Sequence, residues 1–292
     1  MLRKHIAVIL YFVKKTKKIN SQHLLKQLFL VDPKLTPNEL SKIFPKYKDF
    51  NKIENSYSLW TQNKTLARLT KNFGKHQKIM LLISGISAGG KDAVREKIQE
   101  LKPRFLFKAV TATTREIRKN EKNKVDYYFY NEKKFLQEAK NNKFIEQTNF
   151  GGNLYGSPKR SFDDALLRSE PVVCSHVEMK DGWPGVENYF KNEYVGEKPF
   201  ILKVFVIPNM KFSQYANEWL PKVRKDYIDR IGIAAKEISV AASNTDVILT
   251  NKILNSVSGS NSRQTSKSTP KPLKKQAQKL INLMLKIIVT TN

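Results

Sequence analysis

Strands alternating with helical stretches through residues 78–255 predict an α/β fold, a parallel sheet flanked by helices. Two observations carry the prediction. Residues 79–84 form an unbroken apolar run ending on Gly85, the pattern of a strand buried on both faces. The stretches between such runs instead repeat apolar residues at helical spacing, as Val94, Ile98 and Leu101 do. With 292 residues, 40% of them apolar, the chain has material for a sizeable core, and wholesale disorder is excluded.

Residues 1–77 read as a basic, mainly helical segment. Thr36-Pro37-Asn38-Glu39 makes a capping box with proline at the first helical position, ahead of Leu40, Ile43 and Phe44. Leu24, Leu25, Leu28 and Phe29 give a second stripe. A domain over 78–255 then begins with the strand at 79–84 and the helix carrying Val94. Strands follow at 105–113, 144–150, 171–177 and 200–207, with helices at 132–140 and 158–168. A long helix runs through Val223, Ile228, Ile231, Ala235 and Ile238, and a strand at 246–250 closes the set. Residues 256–271, rich in Ser, Thr, Asn and Lys, read as a flexible linker. In the final stretch, 272–292, Leu273, Ala277, Leu280, Ile281, Met284 and Ile288 predict a helix packed back on the domain.

The formal charge is +27, and it is concentrated at the ends. Residues 1–77 hold 16 basic and 4 acidic side chains, and residues 257–292 hold 7 basic and no acidic ones. Such flanks attract nucleic acid or an anionic membrane surface. Lysine outnumbers arginine there, however, and base readout and bidentate phosphate gripping favour arginine. No recognition motif accompanies the charge, so it reads first as the surface of a Lys- and Asn-rich chain. A single cysteine, Cys174, excludes an intrachain disulfide and a multi-Cys zinc site and points to a reducing compartment. The apolar run 6–13 is far shorter than the ~20 residues a bilayer span needs. Lysines follow it where a leader's cleavage site would lie. The chain therefore reads as soluble and cytoplasmic, with no membrane span.

Chemistry concentrates first at Gly85-Ile86-Ser87-Ala88-Gly89-Gly90-Lys91-Asp92, between the buried strand and a helix. This matches G-x-x-x-x-G-K, a P-loop whose backbone N–H groups converge on phosphate oxygens, with Lys91 reaching the β- and γ-phosphates of ATP. Asp92 stands where Ser or Thr is expected. A carboxylate can ligate Mg²⁺, yet at ~4 Å and an effective dielectric of ~20 it repels each phosphate charge by about 4 kcal/mol.

A second constellation follows over 111–159: Thr111, Arg115, Arg118, Glu121, Tyr127, Glu146, Tyr155 and Ser157. Arginines, tyrosines and a lone glutamate in this pattern suit a small phosphate ester. Together with the P-loop, these residues resemble guanylate kinase in spacing and identity. The resemblance spans about 78–255, together with the final helix, and leaves out 1–77. It implies a P-loop NTPase-type parallel sheet carrying a small GMP-binding insertion and a lid. It further implies that Arg115, Arg118, Tyr127 and Tyr155 hold the GMP phosphate, with Glu121 beside the arginines. Thr111, Glu146 and Ser157 would read the guanine. Guanine presents two donors, N1–H and the 2-amino group, that suit the Glu146 carboxylate; adenine would leave it unpaired.

The departures from the family pattern fall on the ATP side. Asp92 is one. At the next strand end the family's Asp-x-Asp stands as His176-Val177-Glu178, where Glu178 keeps a carboxylate that serves the metal or the GMP site. The lid's arginine-rich stretch is replaced by residues 212–221, while Arg230 matches the family's arginine on the next helix and Arg224 is a looser candidate. Lys91, Arg118 and Arg230 are the catalytic candidates, Mg²⁺ with Asp92 and Glu178 the metal site, and ATP and GMP the ligands. The function implied is ATP-dependent phosphoryl transfer to GMP with weakened activity. The alternative is an impaired module of the same fold that binds GMP or a phosphorylated partner.

Overall fold

The structure, a computed structural model, describes residues 65–67, 76–150, 152–224, 226–251 and 271–288. The helical readings at Leu24–Phe29 and Thr36–Phe44, the apolar run 6–13 and nearly all of the linker lie outside the described residues. Contacts divide the chain into two units: Lys64–Asn209 with Ala241–Asn292, and Met1–Asn63 with Met210–Val240.

The first unit is built on a six-stranded sheet, ordered β1-β10-β9-β2-β8-β3. Its strands are β1 (Thr65–Ala67), β2 (Ile79–Gly85), β3 (Leu106–Lys108), β8 (Val172–His176), β9 (Phe200–Pro208) and β10 (Val247–Asn251). All pairs are parallel except β1 with β10. β2 is buried along its whole length between β8 and β9, as its continuous apolar run requires. Helix α1 (Lys91–Leu101) lays Val94 and Ile98 on this sheet. The final helix α8 (Lys271–Ile287) packs on the same core through Leu273, Ala277, Leu280, Ile281 and Met284.

A second, four-stranded sheet, ordered β5-β4-β7-β6, holds the insertion. It comprises β4 (Ala112–Thr113), β5 (Tyr128–Phe129), β6 (Phe144–Phe150) and β7 (Asn153–Pro158). The sequence reading of 105–113 as one strand is thus corrected: the chain leaves the parallel sheet after Lys108 and re-enters a strand at Ala112. The strand at 144–150 belongs to this second sheet, paired antiparallel with β7. Helix α2 (Glu132–Lys140) starts at Asn131, whose side chain accepts from Lys134 N at 2.8 Å. It buries Phe135 against Phe144, ring centroids 4.6 Å apart. Helix α3 (Lys159–Leu166) follows β7 directly. Helix α4 (Gly182–Asn192), absent from the sequence reading, packs on β6.

In the second unit the described residues open with α5 (Phe212–Gln214), a π-turn over Tyr215–Trp219, and α6 (Leu220–Val223). The chain breaks helical geometry at Arg224, so Val223 does not belong to the long helix α7 (Tyr227–Asn244). Tyr215 packs on Phe212 at 5.7 Å within this segment. No helix among the described residues is long and apolar enough to cross a membrane.

Candidate active site

β2 delivers the phosphate loop at its carboxyl end. Gly85 sits at φ +147°, and a Cβ there would collide with the backbone of Val206 on the neighbouring strand. Gly90 turns the chain into α1 from the left-handed region, φ 94°, against the side chain of Asn251. Gly89 N donates to the Ile86 carbonyl at 3.0 Å and fixes the curl between them. No side chain caps α1, so its first N–H groups open on the loop, where an anion is favoured. Lys91 Nζ donates to the Gly85 carbonyl at 2.8 Å and lies folded over the same loop.

Asp92 follows in the first turn of α1, its side chain 72% exposed. Its Oδ1 lies 3.4 Å from His176 Nδ1 and 3.7 Å from Arg95 Nη2. The surrounding protein pushes the carboxyl up, but His176, Arg95, Lys91 and Lys108 outweigh this and hold it below the ordinary range. Burial, with the nearby cations, drives His176 down to about 4 against the pull of Asp92, so its imidazole is neutral at neutral pH. Arg95 and Lys108 were not singled out from the sequence. Lys108 stands opposite Cys174 in the β3–β8 register, and only that pairing brings it to the group.

Magnesium bound with a nucleotide typically takes one or two carboxylates, with phosphate oxygens and water completing the octahedron. An exposed, ionised Asp92 beside the loop fits that requirement. Among the described residues no cluster of three or more His, Cys, Asp or Glu could hold a metal ion. Glu178 is placed differently. Its carboxylate accepts Lys180 N and Asp181 N, both at 2.8 Å, closing the turn before α4, and its charge acts on Glu146.

The phosphate-ester cluster assembles around Glu121. One nitrogen of Arg115, Nη2, donates to both its carboxylate oxygens at 2.8 and 3.0 Å, and Arg118 N reaches Oε2 at 3.0 Å. Burial works against the Glu121 charge, but Arg115 and Arg118 hold the carboxyl below its usual range. The Arg115 guanidinium lies 5.5 Å from the Tyr127 ring centroid and 5.7 Å from that of Phe129. Two aromatic faces and a carboxylate therefore fix its plane. Tyr155, on β7, meets Tyr127 edge-on at 6.3 Å. Burial raises the Tyr127 hydroxyl to about 12, and it remains a donor. The Arg118 side chain is exposed at the rim. Phe129 was missed, although its period-two spacing from Tyr127 signals a shared face.

The residues expected to read the base also come together. Ser157 Oγ donates to Glu146 Oε1 at 2.6 Å. Ser157 and Thr111 are buried, Ser157 on β7 and Thr111 just before β4. Burial raises the Glu146 carboxyl above its ordinary range, and Glu178 adds to that, while Ser157 opposes it. Gly182 and Gly185 of α4 lie against Glu146, where a Cβ on Gly185 would crowd its side chain at 3.1 Å. In the other unit, Arg230 donates Nε to Asp226 Oδ2 at 2.6 Å on α7, and Arg224 follows α6.

A family model described as guanylate kinase matches residues 77–172, from the P-loop strand through the Glu146–Ser157 pair. The guanylate kinase of Carboxydothermus hydrogenoformans is 36% identical over 105 residues, covering 36% of this chain and 50% of that protein. That of Anaplasma phagocytophilum is 37% identical over 130 residues, covering 44% and 58%. For Prochlorococcus marinus the identity is 33% over 134 residues, covering 46% of this chain and 67% of the relative. The chain thus spans about half the length of the first two. A crystal structure of guanylate kinase from Anaplasma phagocytophilum aligns with a TM-score of 0.48 at 19% identity, over 74% of this chain and 89% of the other. Since the matched residues include the phosphate loop and the arginine, tyrosine and glutamate cluster described above, the chain belongs to the guanylate kinase family.

Proposed function

We propose that the protein transfers the γ-phosphoryl group of ATP to GMP, giving GDP and ADP. The observation that carries this reading is that one compact unit holds both the glycine-rich loop with Lys91 and the Arg115–Glu121 and Glu146–Ser157 pairs. The two are close enough for the Asp92 charge to act on the Tyr127 hydroxyl. An oxygen of the GMP phosphate attacks the γ-phosphorus as the bond to the β–γ bridging oxygen of ATP breaks, and ADP leaves. Such transfer needs positioning and charge stabilisation, with no covalent intermediate on the protein.

Lys91 and the N–H groups of the loop hold the β- and γ-phosphates. Arg115, fixed by Glu121, turns its remaining N–H groups with Arg118, Tyr127 and Tyr155 onto the GMP phosphate. Glu146 accepts N1–H and the 2-amino group of guanine, with Ser157 steadying one of its oxygens. Thr111 completes that wall. Asp92 is the residue that would hold magnesium, which when bound neutralises developing charge on the β- and γ-oxygens. Glu178 stays with the base site through its effect on Glu146.

Glu146→Gln tests the base assignment. The amide would turn N–H groups toward guanine donors, and GMP affinity is expected to fall by about 2–3 kcal/mol. The pH dependence of guanosine binding gives a second check, free of phosphate titration. Glu146 is protonated to a higher pH than an ordinary carboxylate, and guanine needs it ionised. Guanosine affinity should therefore rise with pH through that range in the native protein and stay flat in Glu146→Gln. Unchanged calorimetric affinity in the variant would remove Glu146 from the site.

One observation favours the rival reading, a binding module without turnover: the exposed carboxylate at Asp92 beside the phosphate loop. Asp92→Thr tests what that carboxylate does. If the carboxylate ligates magnesium, the variant should lose metal-dependent ATP binding or leave it unchanged. Stronger Mg-ATP binding and faster turnover in the variant would instead identify Asp92 as a purely repulsive charge.

A further inference from the structure

Asp92 does not stand alone at the head of α1. His176, at the carboxyl end of β8, brings Nδ1 to 3.4 Å from Asp92 Oδ1, a separation within reach of a hydrogen bond. Arg95, one turn on, approaches the same oxygen at 3.7 Å. Lys108 belongs to the same group of charges, although its Nζ is engaged by the Asp126 carbonyl at 2.7 Å. Lys91 faces the group from the loop. The carboxylate can only accept, so a hydrogen bond between the two requires the proton on the imidazole nitrogen that faces it. The other nitrogen, Nε2, is buried and has no hydrogen-bond partner among the described residues. Among the described residues, Asp92 is the polar side chain that meets this ring.

We propose that His176 is the positioning residue for the metal-binding carboxylate: its Nδ1–H holds Asp92 Oδ1 so that the other oxygen faces the phosphate loop. This rests on the reading of Asp92 as a magnesium ligand. A rigidly held ligand loses less freedom when it binds a metal, and loss of such an orienting partner typically costs about 10–100-fold in metal affinity. Arg95 contributes charge to the same oxygen from 3.7 Å, while its Nη1 donates to Gln99 Oε1 at 3.0 Å and its Nη2 to Glu96 Oε1 at 3.1 Å. His176 comes from a buried strand end, where backbone pairing with Ile83 of β2 fixes its place.

The test measures binding of a fluorescent ATP analogue to the full chain, with and without Mg²⁺, so that no turnover is needed. His176→Leu keeps an apolar ring-sized volume and removes the donor. His176→Asn keeps a donor near the place of Nδ1. In His176→Leu the Mg²⁺ concentration for half-maximal binding should rise about tenfold, while metal-free binding stays as in the native protein. His176→Asn should restore most of the native Mg²⁺ response. Equal weakening with and without metal, or a native Mg²⁺ response in His176→Leu, would overturn the proposal. Asp92→Ala is measured alongside. If it leaves the Mg²⁺ response unchanged, the reading of Asp92 itself fails, and the inference falls with it. If it abolishes the response while His176→Leu does not, the inference alone fails. Should His176→Leu not fold, ¹⁵N spectra of the native imidazoles decide, with His176→Asn assigning the signal. A proton on Nδ1 supports the proposal, and a proton on Nε2 alone overturns it.

Discussion

Lys91→Ala is expected to lower the rate of phosphoryl transfer on the order of a thousandfold, with GMP binding nearly unchanged. The lysine supplies a full positive charge to the β- and γ-oxygens, where negative charge spreads in the transition state. It now rests 2.8 Å from the Gly85 carbonyl, at the start of the loop that would surround those oxygens. Losing that one hydrogen bond costs roughly 1 kcal/mol of stability, too little to unfold the domain. Single-turnover rates and GMP titrations on the same preparation separate the two effects. A parallel loss of GMP affinity would show that the lysine supports the fold of the loop and not the chemistry.

Arg115→Ala carries the second large effect. GMP affinity should fall about 30–100-fold, the worth of a charge-assisted hydrogen-bonded pair, while guanosine binds as before. The variant leaves Glu121 with Arg118 N as its remaining partner of the pair described above, at 3.0 Å, and removes the cation beside Tyr127 and Phe129. Glu121 should then titrate at a higher pH than in the native protein, because the larger of the two cationic influences holding it down is gone. Calorimetry with GMP and with guanosine distinguishes a phosphate ligand from a structural ion pair. Equal losses for both ligands would assign Arg115 to the fold.

What the sequence disclosed and what it concealed follow from how local each signal was. The phosphate loop was legible because eight successive residues carry it between a buried strand and a helix. The Arg115, Glu121 and Tyr127 cluster was legible for the same reason, since one short segment contains it. β7 was not, because Asn153–Pro158 interrupts any period-two pattern with Gly156 and ends on proline. Helix α4 was hidden by Gly182, Pro184 and Gly185 in its first turn, although Trp183, Val186 and Phe190 keep a helical stripe. Those glycines are there to let α4 approach Glu146 and Val177. The contact between Asp92 and His176 joins the ends of two different elements. Strand order alone brings them together, and residue spacing does not encode it.

The central claim is tested most directly by following ADP release from ATP and Mg²⁺ in a coupled assay, with GMP, AMP, CMP and UMP supplied in turn. The account predicts release that depends on GMP and is far slower with the other three, because only guanine sets N1–H and the 2-amino group side by side for the Glu146 carboxylate. No release with GMP, in a preparation that still binds GMP, would contradict phosphoryl transfer and leave the chain a nucleotide-binding member of its family.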